Sequence, residues 1–492
     1  MNPPTQLPRV LGYVTATAIV VGTVIGSGVF KKASAVATNV PEFSLAIFAW
    51  VLVGLLTLIG ALCLAEVVVI VGRAGGNYAI LRDAYGPWAG FLWGWVEFLI
   101  IRSGSIAALA TIFTESLHDI LRHLHPAGPD IELFGVFGRA AVTGGVIAVL
   151  GLVNARGTRL GAGLQLVVTT VKALSLIGIA LLPFLVYLMV TSPRATPQAA
   201  NLEPVWPADW AAVSWVKFGG ALVGVFWAYH GWMNIAPIAE EVKDPQRNLP
   251  RAVISGVLLL IALYVSVNLA YYLIIPSAEI ATLKDRTVAG EFCHRLLGDV
   301  GLVVASAAIM LSVFGSLNGN LLVGPRLLYA MGRDKLAPAR LSDLHPTYQT
   351  PAAAQFVLTA WSVLLVAAVA VVAPTSKSAF DVITDFAMFG AISFETLAVA
   401  SLFVFRRRFP VDRVQLPYRC PLYPVLPVVY VIGLTAVLLN MFFSQTYEAL
   451  TGVGFVIVGA AVYLIFLWDR KIAWPDRGIS PEDRADYGEP RG

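Results

Sequence analysis

The sequence has little charge and very little cysteine. Only 13% of its 492 residues are Asp, Glu, Lys or Arg, whereas 58% are hydrophobic; soluble domains carry about 25% charged residues. Its three cysteines cannot form a disulfide framework, and no Cys/His cluster suggests a metal site. The 34 basic and 30 acidic residues are too evenly balanced for a nucleic-acid-binding surface. We therefore expect an integral membrane protein that needs a lipid bilayer and takes no cofactor, metal or nucleic acid.

Long apolar segments account for most of the chain. A helix that crosses the hydrocarbon core needs about 20 mostly apolar residues. Twelve such segments are predicted, at residues 13–30, 44–70, 88–113, 136–153, 164–190, 210–239, 251–275, 300–330, 352–373, 379–404, 422–443 and 451–468. This pattern predicts an all-α membrane protein with an N-terminal segment at 1–12 and a polar tail at 475–492. Because most Lys and Arg residues fall on one side, the positive-inside rule places both termini in the cytoplasm.

The first predicted span contains three glycines, Gly22, Gly26 and Gly28. Each glycine weakens a helix by about 1 kcal/mol relative to alanine. One interpretation is a helix that unwinds at the bilayer midplane, because unwound backbone is tolerated in a membrane where it lines a cavity or is buried in protein. The other interpretation is close helix packing through small residues. The spacing alone favours neither.

The sixth predicted span has a polar and aromatic centre, from Phe226 to Asn234, with one glycine at Gly231. It lies five helices after the first span, and interrupted helices at corresponding positions of two halves mark the binding site of inverted-repeat transporters. Five helices per repeat reverse the direction of the second copy. We therefore predict repeats at 13–190 and 210–404, with two further helices within 422–468.

Two interrupted helices that face each other suit a small zwitterion. The N-terminus of a half-helix presents unpaired N–H groups and a positive dipole end, which favour a carboxylate. The C-terminus of a half-helix presents unpaired carbonyls, which suit an ammonium. Such a site holds both ends of an α-amino acid without burying an unpaired charged side chain.

Several motifs follow one another along the chain. They are Gly22–Phe30, Gly75–Tyr78, Ala84–Pro87, Val96–Arg102, Ala228–Trp232, Glu240–Ala252, Ser316–Asn320 and Arg326–Asp334. Together they resemble the amino acid–polyamine–organocation superfamily of transporters, most closely the L-type amino acid transporter family. The resemblance implies twelve transmembrane helices with a five-plus-five inverted repeat like that of the leucine transporter, discontinuous helices 1 and 6, and alternating access.

The resemblance also implies a substrate site at the two breaks and no catalytic residues. The substrate carboxylate is expected to meet the backbone of Thr23–Gly28 and the Ser27 hydroxyl. The ammonium is expected to meet carbonyls near Ile19–Gly22 and Phe226–Ala228, and Trp227 is the aromatic gate that closes over the substrate from outside. The predicted substrate-binding residues are Ile19, Gly22, Thr23, Ile25, Gly26, Ser27, Gly28, Phe226, Trp227, Ala228 and His230.

Lys172 lies at the middle of the fifth predicted span, where a lysine costs about 2.5–3.5 kcal/mol on insertion scales. With Gln165, Thr169 and Thr170 it roughly matches a family pattern. The resemblance implies that its ammonium fills the space of a sodium ion in cation-coupled relatives and bridges span 5 to spans 1 and 8. The alternative is snorkelling to the membrane interface. We predict sodium-independent transport.

Two departures from the family pattern carry expectations. His230 stands where the family usually has a small glycine, so it would narrow the pocket, make transport pH-sensitive, or simply bond to a neighbour. Animal members join a single-span glycoprotein through a cysteine between spans 3 and 4. Segment 114–138 has no cysteine, so no disulfide-linked heavy chain is expected.

The resemblance implies a sodium-independent transporter or exchanger of amino acids in the cell membrane. Neutral L-amino acids are the favoured substrates, because neither broken segment offers a carboxylate or an arginine. A cationic amino acid or polyamine carrier would need an acidic group such as Glu97 or Asp385, and a proton-coupled carrier is a further alternative. Asp385 and Glu395 are candidate gate or proton-linked residues. Glu97 and Arg102, five residues apart, are expected to pair poorly on an α-helix. A membrane enzyme lacks its usual motifs here, and a passive channel fits two interrupted helices less well.

Overall fold

A computed structural model of the protein describes residues 7–72, 74–125, 134–191, 193–283, 287–372, 378–410 and 416–467. Within these ranges the chain is helical and contains no strand, with one isolated bridge between Leu11 and Val242. The predicted all-α fold is confirmed. In the same ranges, ten helices are long and apolar enough to cross a membrane, and a bent pair makes an eleventh.

In the described part of the chain, these ten helices, the bent pair and a second interrupted segment are labelled α1 to α12 in chain order. Helix α1 consists of α1a (Tyr13–Val24) and α1b (Gly28–Asn39), which are bent by 42°. Helix α6 consists of α6a (Trp215–Tyr229) and the 3-10 segment α6b (Trp232–Glu241), each too short to cross alone. The others are α2 (Phe43–Val71), α3 (Pro87–Leu124), α4 (Val136–Ala155), α5 (Thr158–Met189), α7 (Pro245–Ile274), α8 (Asp299–Arg333), α9 (Ala352–Val372), α10 (Ser378–Arg408), α11 (Val425–Ser444) and α12 (Thr446–Phe466).

Shorter helices connect the spans. They are α-helices at Asn77–Tyr85, Ser277–Thr282 and Val288–Leu297, and 3-10 turns at Ala199–Leu202, Trp210–Ala212 and Ala339–Ser342. Part of the predicted N-terminal segment is docked, because the amides of Val10 and Leu11 both donate to the Glu241 carbonyl at the end of α6b (2.9 Å each). Residues 1–6 and the predicted tail lie outside the described residues.

The first span is longer than predicted. The sequence predicted an end at residue 30, but α1b continues to Asn39. Lys31 and Lys32 directly follow the predicted end, and the Nζ atom of Lys31 lies 3.3 Å from Glu115 of α3. Further along α1b, Val36 and Ala37 are buried in the core. These contacts explain why the helix continues beyond the two lysines.

Helix α1 occupies the centre of the molecule. It packs against α5, α7 and α8, with α6b beside it. The peripheral helices α4, α5, α9, α11 and α12 bury only a minor share of their apolar windows. Their exposed Leu, Val, Ile and Phe side chains suit lipid rather than water as the surrounding solvent. This arrangement places the two interrupted helices in the protein interior, away from the lipid face.

Candidate functional site

Helix α1 breaks within its glycine motif. The amide of Ile25 still donates to the Val21 carbonyl (2.9 Å), but Ile25 leaves the helical conformation with ψ at 87°. In the described part of the chain, the amides of Gly26 and Ser27 make no hydrogen bond. Helix α1b begins at Gly28, and its first amides have no partner within the helix. The break therefore exposes N–H groups at the positive end of a helix dipole.

Helix α6 breaks at His230 and Gly231. His230 is extended (ψ 143°), and Gly231 has φ of +106°, in the left-handed region that glycine adopts at least cost. The Oγ1 atom of Thr23 lies 3.2 Å from the Gly231 carbonyl oxygen. A Cβ atom on Gly231 would lie 3.3 Å from the Thr23 carbonyl. The two breaks are therefore in direct contact.

Two of the motif glycines also permit close packing. A Cβ atom on Gly28 would lie 2.5 Å from the Cα atom of Ala228 in α6a. On Gly22 it would lie 2.1 Å from side-chain atoms of Gln165 and of Thr169 in α5. Both interpretations of the glycine motif therefore describe this helix, which is interrupted and packed through small residues.

A cavity, here called the central cavity, opens between the two breaks. It encloses about 390 Å³, its mouth included, and is lined by Thr23, Val24, Gly26, Ser27, Gly28, Ser105, Leu109, Trp227, His230, Gly231, Asn234 and Asn320. The buried hydroxyls of Ser27 and Ser105 have no hydrogen-bond partner among the described residues. Buried polar atoms of this kind call for a bound ligand or water.

Six predicted site residues line the central cavity: Thr23, Gly26, Ser27, Gly28, Trp227 and His230. The Trp227 and His230 rings lie nearly parallel, with centroids 6.4 Å apart. The other five, which do not line it, are Ile19, Gly22, Ile25, Phe226 and Ala228. The backbone carbonyls of four of these already accept hydrogen bonds from other side chains. Ile19 accepts from Thr23, and Ala228 accepts from Tyr264. Gly22 accepts from Lys172 and Ser316, and Ile25 accepts from Ser312 and Ser316. Phe226 is buried in the core.

Lys172 of α5 is fully buried beside the break in α1. Its Nζ atom donates to the Gly22 carbonyl (2.6 Å), the Ser312 carbonyl (3.0 Å) and the Ser316 hydroxyl (3.1 Å). An ammonium has three N–H donors, so each donor has one acceptor. The side chain joins α5 to α1 and α8 and does not reach towards a membrane interface.

The expectation that Glu97 and Arg102 pair poorly is wrong. The chain forms a π-helical turn at Glu97–Arg102, and a π-helix brings residues i and i+5 together. Arg102 Nε donates to Glu97 Oε1 at 2.8 Å, and its other nitrogens donate to Asn320 (2.6 Å) and Asn234 (2.8 Å). The pair holds two asparagines that line the central cavity.

The sequence did not identify several lining residues as binding residues, namely Ser105, Leu109, Gly231, Asn234 and Asn320, whereas Val24 falls within the predicted Thr23–Gly28 stretch. The Ser103-Gly104-Ser105 stretch is a weak signal, because small polar residues are common in membrane helices for packing alone. Nothing in the sequence shows that Ser105 faces a cavity.

The central cavity as a whole can bind a carboxylate and an ammonium through backbone groups, hydroxyls and amides.

A second cavity adjoins the first and shares His230, Gly231 and Asn234 with it. It encloses about 440 Å³ and is lined by Gly75, Asn77, Trp93, Glu97, Arg102, His230, Gly231, Met233, Asn234, Pro237, Val323, Gly324, Leu327 and Glu395. Glu395 therefore faces the interior. The side chain of Asp385 lies outside the described residues. In the described part of the chain, no group of three or more His, Cys, Asp and Glu is arranged to hold a metal.

Comparisons with known proteins find similarity over nearly the whole chain. Residues 11–467 match the family described as amino acid permease. The chain is 30% identical to the serine/threonine exchanger SteT of Bacillus subtilis (strain 168), over 93% of this chain and 96% of that protein. It is 28% identical to the human b(0,+)-type amino acid transporter 1, over 96% and 91% of the two chains, and 28% identical to the human cystine/glutamate transporter, over 95% and 87%. These relatives are membrane transporters, not enzymes, and their names indicate different substrates.

Proposed function

Because the chain belongs to the amino acid permease family, whose similar members are amino acid transporters and exchangers, we propose that it exchanges neutral L-amino acids across the cell membrane by alternating access, without sodium. The observation that carries this proposal is the pair of helix breaks in contact at Thr23 and Gly231. The break in α1 supplies free amides beside the central cavity.

The substrate carboxylate binds at the N-terminus of α1b. The amides of Gly26 and Ser27 and the unpartnered Ser27 hydroxyl supply its hydrogen bonds, and the helix dipole adds a favourable potential. Because the carbonyls of Gly22 and Ile25 accept bonds from Lys172 or from serines of α8, the ammonium binds nearer to α6. There Asn234 and Asn320 line the cavity, and the side-chain oxygen of each accepts a hydrogen bond from Arg102 and has a second lone pair that can accept one from the ammonium.

Neutral side chains fit the charge of the central cavity. Among the described residues that line it, His230 is the one titratable side chain, and no Asp, Glu, Lys or Arg is present. A substrate with an ionised side chain would bury a charge without a partner of opposite sign, which costs several kcal/mol. The apolar lining residues Val24, Leu109 and Trp227 favour an uncharged substrate instead.

Sodium independence rests on Lys172. Its ammonium bonds to three oxygens contributed by α1 and α8. These are the oxygen atoms that a sodium ion would need at this position, and the ammonium supplies the positive charge that such an ion would bring. No transported cation is then required to hold α1 against α5 and α8.

The remaining assignments belong to the same proposal. The repeats are residues 13–190 and 210–404, Trp227 is the outer gate, and both termini are cytoplasmic. The protein works without a disulfide-linked heavy chain, which agrees with the burial of Cys63, Cys293 and Cys420.

Counterflow in proteoliposomes tests the proposal. Vesicles loaded with unlabelled L-serine, L-threonine, L-leucine or L-phenylalanine are given the same amino acid in radiolabelled form, in sodium or in choline buffer. We expect uptake that requires internal amino acid and is equal in the two buffers. Faster uptake of labelled L-lysine or L-glutamate would contradict neutral selectivity. Uptake into empty vesicles at the same rate, or acceleration by sodium, would contradict sodium-independent exchange.

A further inference from the structure

An acidic and a basic side chain meet between the two cavities. The Nδ1 atom of His230, at the break in α6, lies 3.2 Å from Oε1 of Glu395 in α10. The pair is within ion-pair distance, although Nδ1 has no aligned hydrogen bond. The Glu395 side chain is 8% exposed and the His230 side chain 18%. These two residues therefore connect the break in α6 to the continuous helix α10.

The groups around the pair do not neutralise Glu395 by direct bonding. Tyr430 of α11 lies close enough to interact with the Glu395 charge. Glu97 and Arg102 of α3 face the same second cavity. The Arg102 guanidinium, however, bonds to Glu97, Asn234 and Asn320. In the described part of the chain, His230 is thus the one basic group in contact with the Glu395 carboxylate.

The charge of His230 decides whether Glu395 is paired. A buried carboxylate without a partner costs several kcal/mol. A neutral imidazole protonated on Nε2 turns its Nδ1 lone pair towards the carboxylate, whereas an imidazolium turns an N–H towards it. A proton taken from water onto Nδ1 therefore converts a repulsive contact into an ion pair. Its return to water restores the unpaired carboxylate.

We propose that His230 and Glu395 form a proton-binding site whose occupancy is linked to the binding of the amino acid. This inference rests on the proposed function, because His230 also lines the central cavity. When the substrate binds and α6 closes around it, Nδ1 takes up a proton from water, and the pair then holds this proton as an ion pair out of contact with water. When α6 moves relative to α10, the charges separate, water enters, and the proton leaves Nδ1. Exchange is then accompanied by proton uptake and release.

Calorimetry of the purified protein tests this link. The fastest counterflow substrate among L-serine, L-threonine, L-leucine and L-phenylalanine is titrated at one pH in two buffers with different heats of ionisation. The difference gives the number of protons bound with each amino acid. We expect a transfer of about 0.5 proton or more in the wild type. In Glu395→Gln and His230→Asn it should fall at least fivefold, while Glu395→Asp, which keeps the carboxylate, should retain most of it.

The control is Glu448→Gln, a carboxylate at the start of α12, which should match the wild type. Equal heats in both buffers for the wild type, or unchanged proton numbers in both pair variants, would overturn the proposal. If a pair variant does not bind, the proton number of the other variant decides. Absence of counterflow for all four amino acids would instead contradict the proposed function, so the two failures are distinguishable.

Discussion

Replacing Lys172 should release α1 from its neighbours. Lys172→Met keeps most of the side-chain volume but removes the ammonium and its bonds to Gly22, Ser312 and Ser316. The Gly22 carbonyl would keep only the bond from the Ser316 hydroxyl (3.1 Å). The break in α1, which presents the proposed carboxylate-binding amides, would then be held less firmly against α5 and α8.

The size of this effect follows from the three bonds. Hydrogen bonds to a charged group contribute about 1.5–3 kcal/mol each, so the gross loss is about 4.5–9 kcal/mol. Relief of the desolvation cost of the ammonium offsets several kcal/mol of it. If the net weakening is about 2 kcal/mol, the ratio of correctly placed to displaced α1 falls about thirtyfold.

Counterflow rate and thermal stability measure this weakening. Lys172→Met should lower counterflow about thirtyfold, since each 1.4 kcal/mol is a factor of about ten. The matched control is Lys217→Met, because Lys217 is an exposed lysine in α6a. A purified, folded Lys172→Met protein that exchanges at the wild-type rate would refute the bridging role of the ammonium.

Three further substitutions test the site. Trp227→Ala should weaken substrate affinity or turnover at least tenfold, because it removes the aromatic ring at the cavity wall, and wild-type kinetics would exclude the gate. Gly28→Ala places a methyl 2.5 Å from the Ala228 backbone and should abolish folding or transport, whereas Gly145→Ala, with open space around it, should not. Ser105→Ala removes a hydroxyl without a partner among the described residues, so it should leave the melting temperature unchanged but weaken substrate binding about tenfold; a lower melting temperature with unchanged affinity would assign Ser105 to structure instead.

Local chemistry made the main features of the fold predictable. The apolar runs located all twelve spans to within a few residues at most ends, because a membrane helix must be both long and apolar. Gly22, Gly26, Gly28 and Gly231 marked the two breaks, because glycine weakens a helix and tolerates unusual backbone angles. The resemblance directed attention to Lys172, whose three acceptors come from α1 and α8.

An irregular helical turn and the contacts between distant segments were not predictable. The pairing of Glu97 with Arg102 depends on a π-helical turn, and nothing in the sequence of α3 predicts that turn. The contact between His230 and Glu395 joins α6 to α10 and requires the three-dimensional packing of both. Ser105 resembles any small polar residue in a membrane helix until the cavity beside it is known.

The most direct test of the substrate site is a density map of the protein in lipid nanodiscs with its best neutral amino acid bound. We predict density between the breaks of α1 and α6. The substrate carboxylate should lie within hydrogen-bond distance of the Ser27 hydroxyl and of the Gly26 and Ser27 amides. Substrate density confined to another part of the protein, or continuous helices with no space between them, would contradict this account.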